Sequence, residues 1–465
     1  MSSPLDDDLA GLPAVLDAAR AHAGGVLAGL AERPAAARRT PVDGRPLPEE
    51  GVGAAGALAE FAERWAAGFS GSAGPRYLGF VTGGVTPAAL VGDWLAGTYD
   101  QNVVSGVDSS ASDLERETVD WLRALLGLDP ACAGAFVTGA TMSNLVGLAQ
   151  AREWLGRRRG VSVAAAGAGA LGDVAVLSGT PHASIGKALS MLGLGRDRLR
   201  PVPTLPDREA VDVARLAEAL EARGGEPAIV VANAGTVNTG DFDDLAAIAA
   251  LRDRYPFWLH VDGAFGGFAA LSGTHAGLVD GLDAADSVCV DLHKWLNVPY
   301  DAAVQFTRHR DLQLAVFKAD AAYLGGLDAE PELLHLTPES SRRLRALPAW
   351  FTLRAYGAAG DREIVARTLA AAGRLGQAVA ADPALRLLAP VRLNVVCFTL
   401  ADRPEPDRVA AVGAALADSG ECYLTGTTYR GVPALRAAFC NWRTGPADVD
   451  RVAAAIAAAA RKAGA

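Results

Sequence analysis

Lys294 is the residue of this sequence with the clearest potential for covalent chemistry. It lies in His293-Lys294-Trp295, directly after an apolar segment, and is one of only four lysines among 43 basic residues. An amine attacks carbonyl groups when it is desolvated or when its pKa is otherwise lowered. The segment therefore predicts a Schiff-base lysine with a lowered pKa. The alternative is a partly buried lysine in a structural salt bridge.

Two further segments indicate what such a lysine would hold. Asp262 ends an apolar run and precedes Gly263 and Ala264, so its carboxylate needs a partner. A protonated pyridine nitrogen is one such partner, and a helix cap or a turn is the alternative. The second segment, Gly139-Ala140-Thr141, opens a helix. Free N–H groups at a helix N-terminus bind phosphate, although such turns also occur for packing alone.

His182 and Thr236 complete a set of groups that suits one cofactor. His182 stands near the start of a helix, where its imidazole either stacks on a planar ring or caps the helix. Thr236 lies in a glycine-containing turn, where its hydroxyl either contacts a cofactor or serves the turn alone. A lysine amine, an acid, a stacking ring and an anion cradle together predict pyridoxal 5′-phosphate as the cofactor.

Alternating strands and helices between about residues 85 and 315 must position these groups. The predicted strands are Ala135–Thr138, Val174–Ser178, Ala228–Ala232, Phe257–Asp262, Ser287–Asp291 and Ala303–Thr307. The predicted helices are Ser112–Leu126, Ser143–Arg157, Ala183–Leu192, Arg208–Ala222 and Asp244–Arg254. Apolar strands separated by helices indicate a parallel sheet with both faces covered. Residues that follow the strands then meet at the carboxyl edge, where ligands bind.

The composition is that of a globular protein, with 465 residues and a formal charge of −10. Half of the residues are hydrophobic, which excludes a disordered chain. The acidic balance argues against nucleic acid or an anionic membrane as a partner. No apolar run reaches the roughly 18 residues that a membrane span needs. The acidic start Met1–Ala10 is unlike a signal peptide.

Cysteines and histidines give no sign of a disulfide framework or a metal site. The five cysteines include no CxxC pair, and the seven histidines show no ligand spacing. We therefore predict a reducing, cytoplasmic location and no bound metal.

Six segments resemble the group II pyridoxal-phosphate-dependent amino-acid decarboxylases, which include the aromatic-amino-acid, histidine and glutamate decarboxylases. They are TGATMSN, PHASIGKAL, NAGTVNTGDFDDL, HVDGAFGGF, DSVCVDLHKWLNVPYDAA and SRRLRALPAWFTLRAYG. The resemblance implies an α/β fold with an aminotransferase-like (fold type I) large domain and a mostly parallel sheet. It assigns residues 1–84 to an N-terminal helical segment that clasps a partner subunit and 85–345 to the large cofactor-binding domain. Residues 346–465 would form a small C-terminal α/β domain, and the protein would be a homodimer.

The resemblance also implies roles for individual residues. Lys294 would carry the cofactor, Asp262 would face the pyridinium nitrogen, and His182 and Ala264 would lie on opposite faces of the ring. His293 would contact the phosphate or the reacting group. The remaining positions that match the family are the phosphate loop Gly139, Ala140 and Thr141 and, at the substrate mouth, Thr82.

The reaction that the family performs is decarboxylation of an L-amino acid to an amine, through an external aldimine and a quinonoid. Characterised members protonate the α-carbon with a loop tyrosine shortly before two arginines, here Arg342 and Arg343. The preceding stretch Leu333–Ser341 contains no tyrosine, and Tyr323 lies further back. His335 either replaces that acid or is a solvated loop histidine.

The missing tyrosine leaves the product open. Without prompt protonation, oxygen chemistry would turn decarboxylation into oxidative deamination to an aldehyde; an aminotransferase and an inactive cofactor-binding protein are further alternatives. Asp291 is a second departure from the family, because a carboxylate near phosphate must point away or be paired. Small and polar residues in Tyr99–Ser112 disfavour a large aromatic substrate without identifying the substrate.

Overall fold

The structure is a computed structural model that describes residues 3–37, 44–104, 106–318 and 331–464. Its larger sheet has seven strands in the order β1-β7-β6-β5-β4-β2-β3. Their bounds are β1 Ala133–Val137, β2 Val176–Ser178, β3 Leu199–Pro201, β4 Ala228–Asn233, β5 Phe257–Asp262, β6 Ser287–Asp291 and β7 Ala303–Thr307. All six predicted strands occur, and the short edge strand β3 is the addition.

The directions of these strands agree with the predicted parallel sheet except at β7. Strands β2 to β6 pair in parallel, whereas β7 runs antiparallel to both of its neighbours, β6 and β1. The reason is the short connection 292–302, because a parallel strand needs a longer crossover. The predicted fold class, a mostly parallel α/β sheet of fold type I, is confirmed by the comparisons with solved structures given below.

Fifteen helices within the described ranges surround this sheet and the smaller one. Those before β4 are α1 Pro4–Ala10, α2 Leu12–Ala28, α3 Gly53–Arg64, α4 Pro87–Tyr99, α5 Ala111–Leu125, α6 Ala140–Arg158, α7 Val163–Ala166, α8 Ala183–Met191 and α9 Val213–Glu221. The later ones are α10 Leu245–Ala250, α11 Leu292–Trp295, α12 Arg310–Phe317, α13 Ala346–Ala381, α14 Pro406–Ser419 and α15 Pro446–Gly464. Helix α9 begins later than predicted because the Asp212 side chain accepts hydrogen bonds from the N–H groups of Ala214 and Arg215.

Hydrophobic cores cover both faces of the large sheet. Along β4, Val230 and Ala232 belong to one core cluster, while Ile229 and Val231 belong to another. Every residue of β4, β5 and β6 is buried. This alternation is expected for a strand enclosed by helices on both faces, and it makes the sheet a rigid support for the residues at its edge.

The C-terminal part has its own antiparallel sheet and core. Strands β8 Leu385–Leu387, β9 Val395–Leu400, β10 Thr425–Tyr429 and β11 Val432–Ala438 pair in the order β10-β11-β9-β8. Helix α13 bends at Gly357 (φ +60°), with Leu353 in the large core and Leu375 in the small one. Leu78 also packs in the small core, so the N-terminal segment reaches across the molecule. The domain boundaries at 84 and 345 stay a prediction.

The N-terminal helices α1, α2 and α3 bury none of their residues. Several of their leucines face solvent, including Leu5, Leu9, Leu12 and Leu16. None of the helices in the described ranges has the length and apolarity that crossing a bilayer would require.

Candidate active site

Polar side chains that follow β1, β5 and β6 meet at one edge of the large sheet. Val137 and Asp291 both pair with Ala303 of β7, so β1 and β6 end at the same level on either side of β7. Asp262 lies opposite Cys289 on the neighbouring strand. The phosphate-loop segment, Asp262 and the lysine segment are thereby brought to the carboxyl edge, as the sequence predicts.

Lys294 lies in α11, one turn after the end of β6. Its Nζ is 3.4 Å from Asp291 Oδ2. Burial alone would lower the pKa of Lys294, but the carboxylates of Asp291 and Asp262 outweigh burial and raise this pKa. The prediction of a lowered pKa is therefore wrong for this arrangement. The salt bridge of Lys294 is observed, and its role as the nucleophile that holds the cofactor stays a prediction.

Asp291 is paired, which answers the question that its sequence position raised. Besides Lys294, its Oδ1 lies 3.0 Å from His293 Nδ1. Its Oδ2 accepts a hydrogen bond of 3.3 Å from the backbone N–H of Ala140. The carboxylate thus joins the lysine, the histidine and the first turn of α6.

Asp262 is nearly buried, with 6 % of its surface exposed, and its hydrogen-bond donors are neutral. Asn144 Nδ2 donates to Oδ2 at 2.9 Å, and the backbone N–H of Ala264 donates to Oδ1 at 3.2 Å. A buried carboxylate held by neutral donors is suited to a cationic ligand atom such as a protonated ring nitrogen. Ala264 itself is buried beside it.

His182 is the N-cap residue of α8 and is exposed. Its Nδ1 accepts a hydrogen bond from the Ser184 N–H at 3.3 Å and lies 2.8 Å from Ser184 Oγ. Partial desolvation lowers the pKa of His182 and outweighs the opposite effect of Asp262, so the imidazole is neutral at pH 7. The capping role is observed, and stacking on a cofactor ring stays a prediction.

The start of α6 has the properties of a phosphate cradle. Gly139 has no side chain to cap this helix, and the N–H of Ala140 donates to Asp291 Oδ2. Uncapped N–H groups at a helix N-terminus bind anions. A Cβ at Gly139 would lie 3.4 Å from His293 Cε1, so the histidine stands beside the cradle. Gly139, Ala140, Thr141 and His293 thus offer donors for a phosphate, while Lys294 and Asp262 offer the amine and the acid. This donor set fits pyridoxal 5′-phosphate.

Thr82 is buried at the same site. Its Oγ1 lies 3.3 Å from the Tyr300 hydroxyl, and the Tyr300 ring centroid lies 4.3 Å from that of His293. The Gly83 N–H donates to the His293 carbonyl at 3.2 Å. The N-terminal segment therefore passes directly over α11, and the role of Thr82 at the substrate mouth stays a prediction.

The structure places two other predicted residues in different settings. The Thr236 hydroxyl donates to Glu209 Oε2 at 2.5 Å and accepts from the Asp241 N–H at 3.0 Å, which accounts for it as a turn residue. Its contact with a cofactor stays a prediction.

The interpretation of His335 as a solvated histidine is wrong. His335 lies in the turn Leu333–His335, and only 2 % of its surface is exposed. Its role toward substrate is untested, and Tyr323 lies outside the described residues.

Sequence reasoning missed three residues of the site. Arg436 of β11 is buried, its Nε has no hydrogen-bond partner among the described residues, and its charge lowers the pKa of His182. An arginine inside the apolar run 432–440 was the available signal. Tyr300 follows the lysine segment closely, and Asn144 belongs to a helix that otherwise reads as core, so neither has a distinctive pattern.

The comparison with protein families decides what this edge of the sheet is for. A model of the pyridoxal-dependent decarboxylase conserved domain matches residues 58–401. This chain belongs to that family. The predicted resemblance, the cofactor pyridoxal 5′-phosphate and the class of carboxy-lyase are thereby confirmed.

Relatives that are named decarboxylases and a relative that is named an acetaldehyde synthase are both similar to this chain. An L-2,4-diaminobutyrate decarboxylase of Rhizobium meliloti (strain 1021) is 31% identical over 90% of this chain and 84% of its own. An aromatic-L-amino-acid decarboxylase of Bacillus atrophaeus is 28% identical over 70% of this chain and 67% of its own. A 3,4-dihydroxyphenylacetaldehyde synthase of Drosophila melanogaster is 32% identical over 49% of this chain and 45% of its own.

The fold agrees with that of a solved plant enzyme along nearly the whole chain. The crystal structure of Oryza sativa TDC with PLP and tryptamine superimposes with a TM-score of 0.90 at 23% identity. The superposition covers 97% of this chain and 98% of that one.

Proposed function

We propose that this pyridoxal-dependent decarboxylase converts an L-amino acid into the corresponding amine and carbon dioxide. The observation that carries the proposal is a proton donor at the site, the Tyr300 phenol. It lies 3.3 Å from Thr82 Oγ1 and packs on His293, next to Lys294. Tyr300 is 61% exposed, and partial desolvation raises its pKa above the ordinary value of 10.0. Its phenol is therefore protonated at neutral pH, as a phenol ordinarily is, and is available as an acid.

Different residues of this chain would hold different parts of the cofactor. Lys294 would bind its aldehyde carbon, Asp262 would face its ring nitrogen, and His182 and Ala264 would flank the ring. The N-terminus of α6 and His293 would hold the phosphate. When bound, pyridoxal 5′-phosphate supplies a ring that accepts the electron pair left by the departing carboxylate.

Arg436 is suited to orient the substrate. Its guanidinium is buried and one of its N–H groups lacks a partner within the described residues. Burial lowers the pKa of Arg436, which makes an anionic partner favourable. A substrate carboxylate near His182 would satisfy that donor and would limit the orientations in which the amino acid binds.

The aldehyde product is the second candidate, favoured by the absence of a tyrosine from Leu333–Ser341. In that reaction one amino acid, one dioxygen and one water yield an aldehyde, carbon dioxide, ammonia and hydrogen peroxide. The two reactions share the loss of carbon dioxide and differ in whether a proton or dioxygen reacts next. The proton donor at the site therefore determines the product.

Product analysis distinguishes the two reactions. Purified enzyme with cofactor is offered a panel that includes aromatic amino acids and 2,4-diaminobutyrate, with mass spectrometry of products and oxygen uptake followed together. We expect an amine without oxygen uptake, and about 10²- to 10⁴-fold slower amine formation in Tyr300→Phe. Tyr255→Phe, whose hydroxyl bonds Glu221 at the far end of β5, is the matched control.

Three outcomes would contradict the proposal. Aldehyde and oxygen uptake in the wild type would establish the second candidate. An unchanged rate in Tyr300→Phe would assign the proton to another group, His335 being the next to test. Turnover by Lys294→Ala at the wild-type rate would overturn the whole assignment of the site.

We also propose a homodimer in a reducing, cytoplasmic compartment. The exposed leucines of α1 and α2 support the first part, because a face of unburied leucines is suited to pack against another chain. The five cysteines, all buried and unpaired, support the second.

A further inference from the structure

We propose that His260 is a positioning residue: through Asn144 it aims the carboxylate of Asp262 and supports the tautomer of His182 that carries its proton on Nε2. The inference rests on the proposed function, because both targets are residues that would contact the cofactor. His260 is fully buried on β5, two residues before Asp262, and therefore on the same face of the strand.

A continuous set of hydrogen bonds joins His260 to the site. Its Nε2 lies 2.9 Å from Asn144 Oδ1. The Asn144 amide nitrogen then donates to Asp262 Oδ2 at 2.9 Å and to Ser184 Oγ at 3.0 Å. Ser184 Oγ in turn lies 2.8 Å from His182 Nδ1. Asn144 is thus the branch point between the acid and the stacking imidazole.

The other ring nitrogen of His260, Nδ1, also has a hydrogen-bond partner. Its Nδ1 lies 2.7 Å from Ser287 Oγ, and the indole N–H of Trp258 donates to the same oxygen at 3.0 Å. All three side chains are buried on adjacent strands of the sheet. No part of this network requires water to complete it, so its geometry is set by the core itself.

The groups at the two ends of the network determine which of its atoms donate hydrogen bonds and which accept them. An indole can only donate, so Ser287 accepts from Trp258, and its own proton is available for His260 Nδ1. A carboxylate can only accept, so the Asn144 amide nitrogen faces Asp262 and its oxygen faces His260. His260 must then carry its proton on Nε2. Burial lowers the pKa of His260 to about 4, which keeps the ring neutral and consistent with this pattern.

The same direction continues to His182. The Ser184 N–H donates to His182 Nδ1, so this nitrogen is an acceptor, and the Ser184 hydroxyl, which accepts from Asn144, gives its own proton to the same nitrogen. The His182 proton is consequently on Nε2, the nitrogen away from α8. In the reversed arrangement, the Asn144 oxygen would face the Asp262 carboxylate and both would be acceptors. The Asp262 carboxylate disfavours that reversal, and the Nε2–H of His260 adds to the preference by donating to the Asn144 oxygen.

Helix α6 is built around the His260 ring. A Cβ at Gly147 would lie 2.8 Å from both His260 Cε1 and Nδ1 and 3.1 Å from Ser287 Oγ. Asn144 and Gly147 are three residues apart and share a face of the helix. One residue therefore bonds the imidazole, and the other leaves the space that the imidazole occupies.

The first experiment measures the tautomer of His182 in the cofactor-free protein by histidine-selective ¹⁵N NMR. His182→Gln identifies the resonance. We expect the Nε2–H tautomer in the wild type and a mixture of tautomers in His260→Phe. Protonation of Nδ1 in the wild type would overturn the proposal, whether or not any variant folds. This measurement does not involve the cofactor, so it is independent of the proposed function.

The second experiment measures the dissociation constant of pyridoxal 5′-phosphate from each variant by titration of cofactor absorbance. We expect His260→Phe to weaken binding about 10-fold, because Asn144 loses a buried donor and Asp262 loses its fixed partner. His260→Gln, which can still donate to Asn144 Oδ1, should stay within about 3-fold of the wild type. His275→Gln, at a separate site beside Ser272 and Thr274, is the control.

Two results would contradict the second prediction. Unchanged binding in both His260→Phe and Gly147→Ala, the latter displacing the ring without removing it, would show that Asn144 needs no support. Equal losses in the Phe and Gln variants would show that the donated proton is irrelevant. Failure of the wild type to bind the cofactor would instead overturn the proposed function and leave the tautomer result standing.

Discussion

At the scale of single residues, the site is a set of charges that balance one another before any ligand binds. Lys294 is held by Asp291, and the phosphate cradle is next to the same carboxylate. The amine is therefore kept charged and oriented, and it must give up this ion pair to react. The sign of the Lys294 pKa shift was not predictable from the sequence, because it depends on which carboxylates the fold places nearby.

Asp361 carries a residue-scale prediction on pH and stability. It is buried in α13, and neither carboxylate oxygen has a hydrogen-bond partner in the described part of the chain. Burial raises the pKa of Asp361 from 3.8 to about 7, with Arg362 opposing. The folded state therefore holds a proton that the unfolded state releases above pH 4, so this residue lowers stability as the pH rises toward 7.

We expect Asp361→Asn to raise the free energy of unfolding by about 3 kcal/mol more at pH 8 than at pH 5. Urea unfolding at the two pH values measures it. The exposed Asp253→Asn is the control, with no pH-dependent gain expected. A gain that is equal at both pH values would mean that Asp361 is ionised in the folded protein.

At the scale of elements, the N-terminal segment and α11 approach each other so closely that only glycine fits between them. A Cβ at Gly83 would lie 1.6 Å from the Lys294 carbonyl oxygen. We expect Gly83→Ala to push α11 away and to lower kcat/KM about 100-fold, as expected for a displacement of about 1 Å at a reacting group. Gly273→Ala, where the added Cβ meets nothing within 4 Å, is the control. Wild-type kinetics in Gly83→Ala would refute this account.

The ion pair of Glu115 and Arg342 connects α5 to the segment that precedes α13. The two side chains are almost fully buried, with an Arg342 Nη2 to Glu115 Oε1 distance of 2.8 Å. We expect Glu115→Gln to destabilise the protein by about 3 kcal/mol in urea unfolding, because it leaves a buried charge unpaired. The exposed pair of Arg215 and Glu218 is the matched control, and Glu218→Gln should change stability by less than about 0.5 kcal/mol. Equal effects would argue against the importance of burial.

Elements were more predictable than the contacts between their side chains. The strands from Phe257–Asp262 to Ala303–Thr307 were predictable from their apolar runs, and Lys294 and Asp262 from their positions at strand ends. The antiparallel direction of β7 was implicit in the short connection before it. Asn144 and His260 were not recognisable, because in the sequence they are isolated polar residues within helix and strand patterns, and only the folded sheet makes them partners.

At the scale of the whole molecule, the unburied leucines of the first two helices predict an assembly of two chains. We expect light scattering to give about twice the mass of the 47.8 kDa chain. Leu12→Glu combined with Leu16→Glu should shift the mass toward a single chain, because these side chains are 45% and 60% exposed in one subunit. Leu278→Glu, on a different surface, should leave the mass unchanged. A wild-type protein with the mass of one chain would contradict the homodimer.

The hydrogen bond between Arg76 and Glu421 has a consequence for how the protein is made. Arg76 Nε donates to the Glu421 carbonyl, 345 residues later, and Leu78 packs among residues of the small core. At ribosomal speeds of about 5–20 residues per second, roughly 20 to 70 s separate the synthesis of these partners. Leu78 therefore lacks these partners for that interval after its own synthesis. A chaperone that recognises exposed apolar residues can bind this segment during that interval.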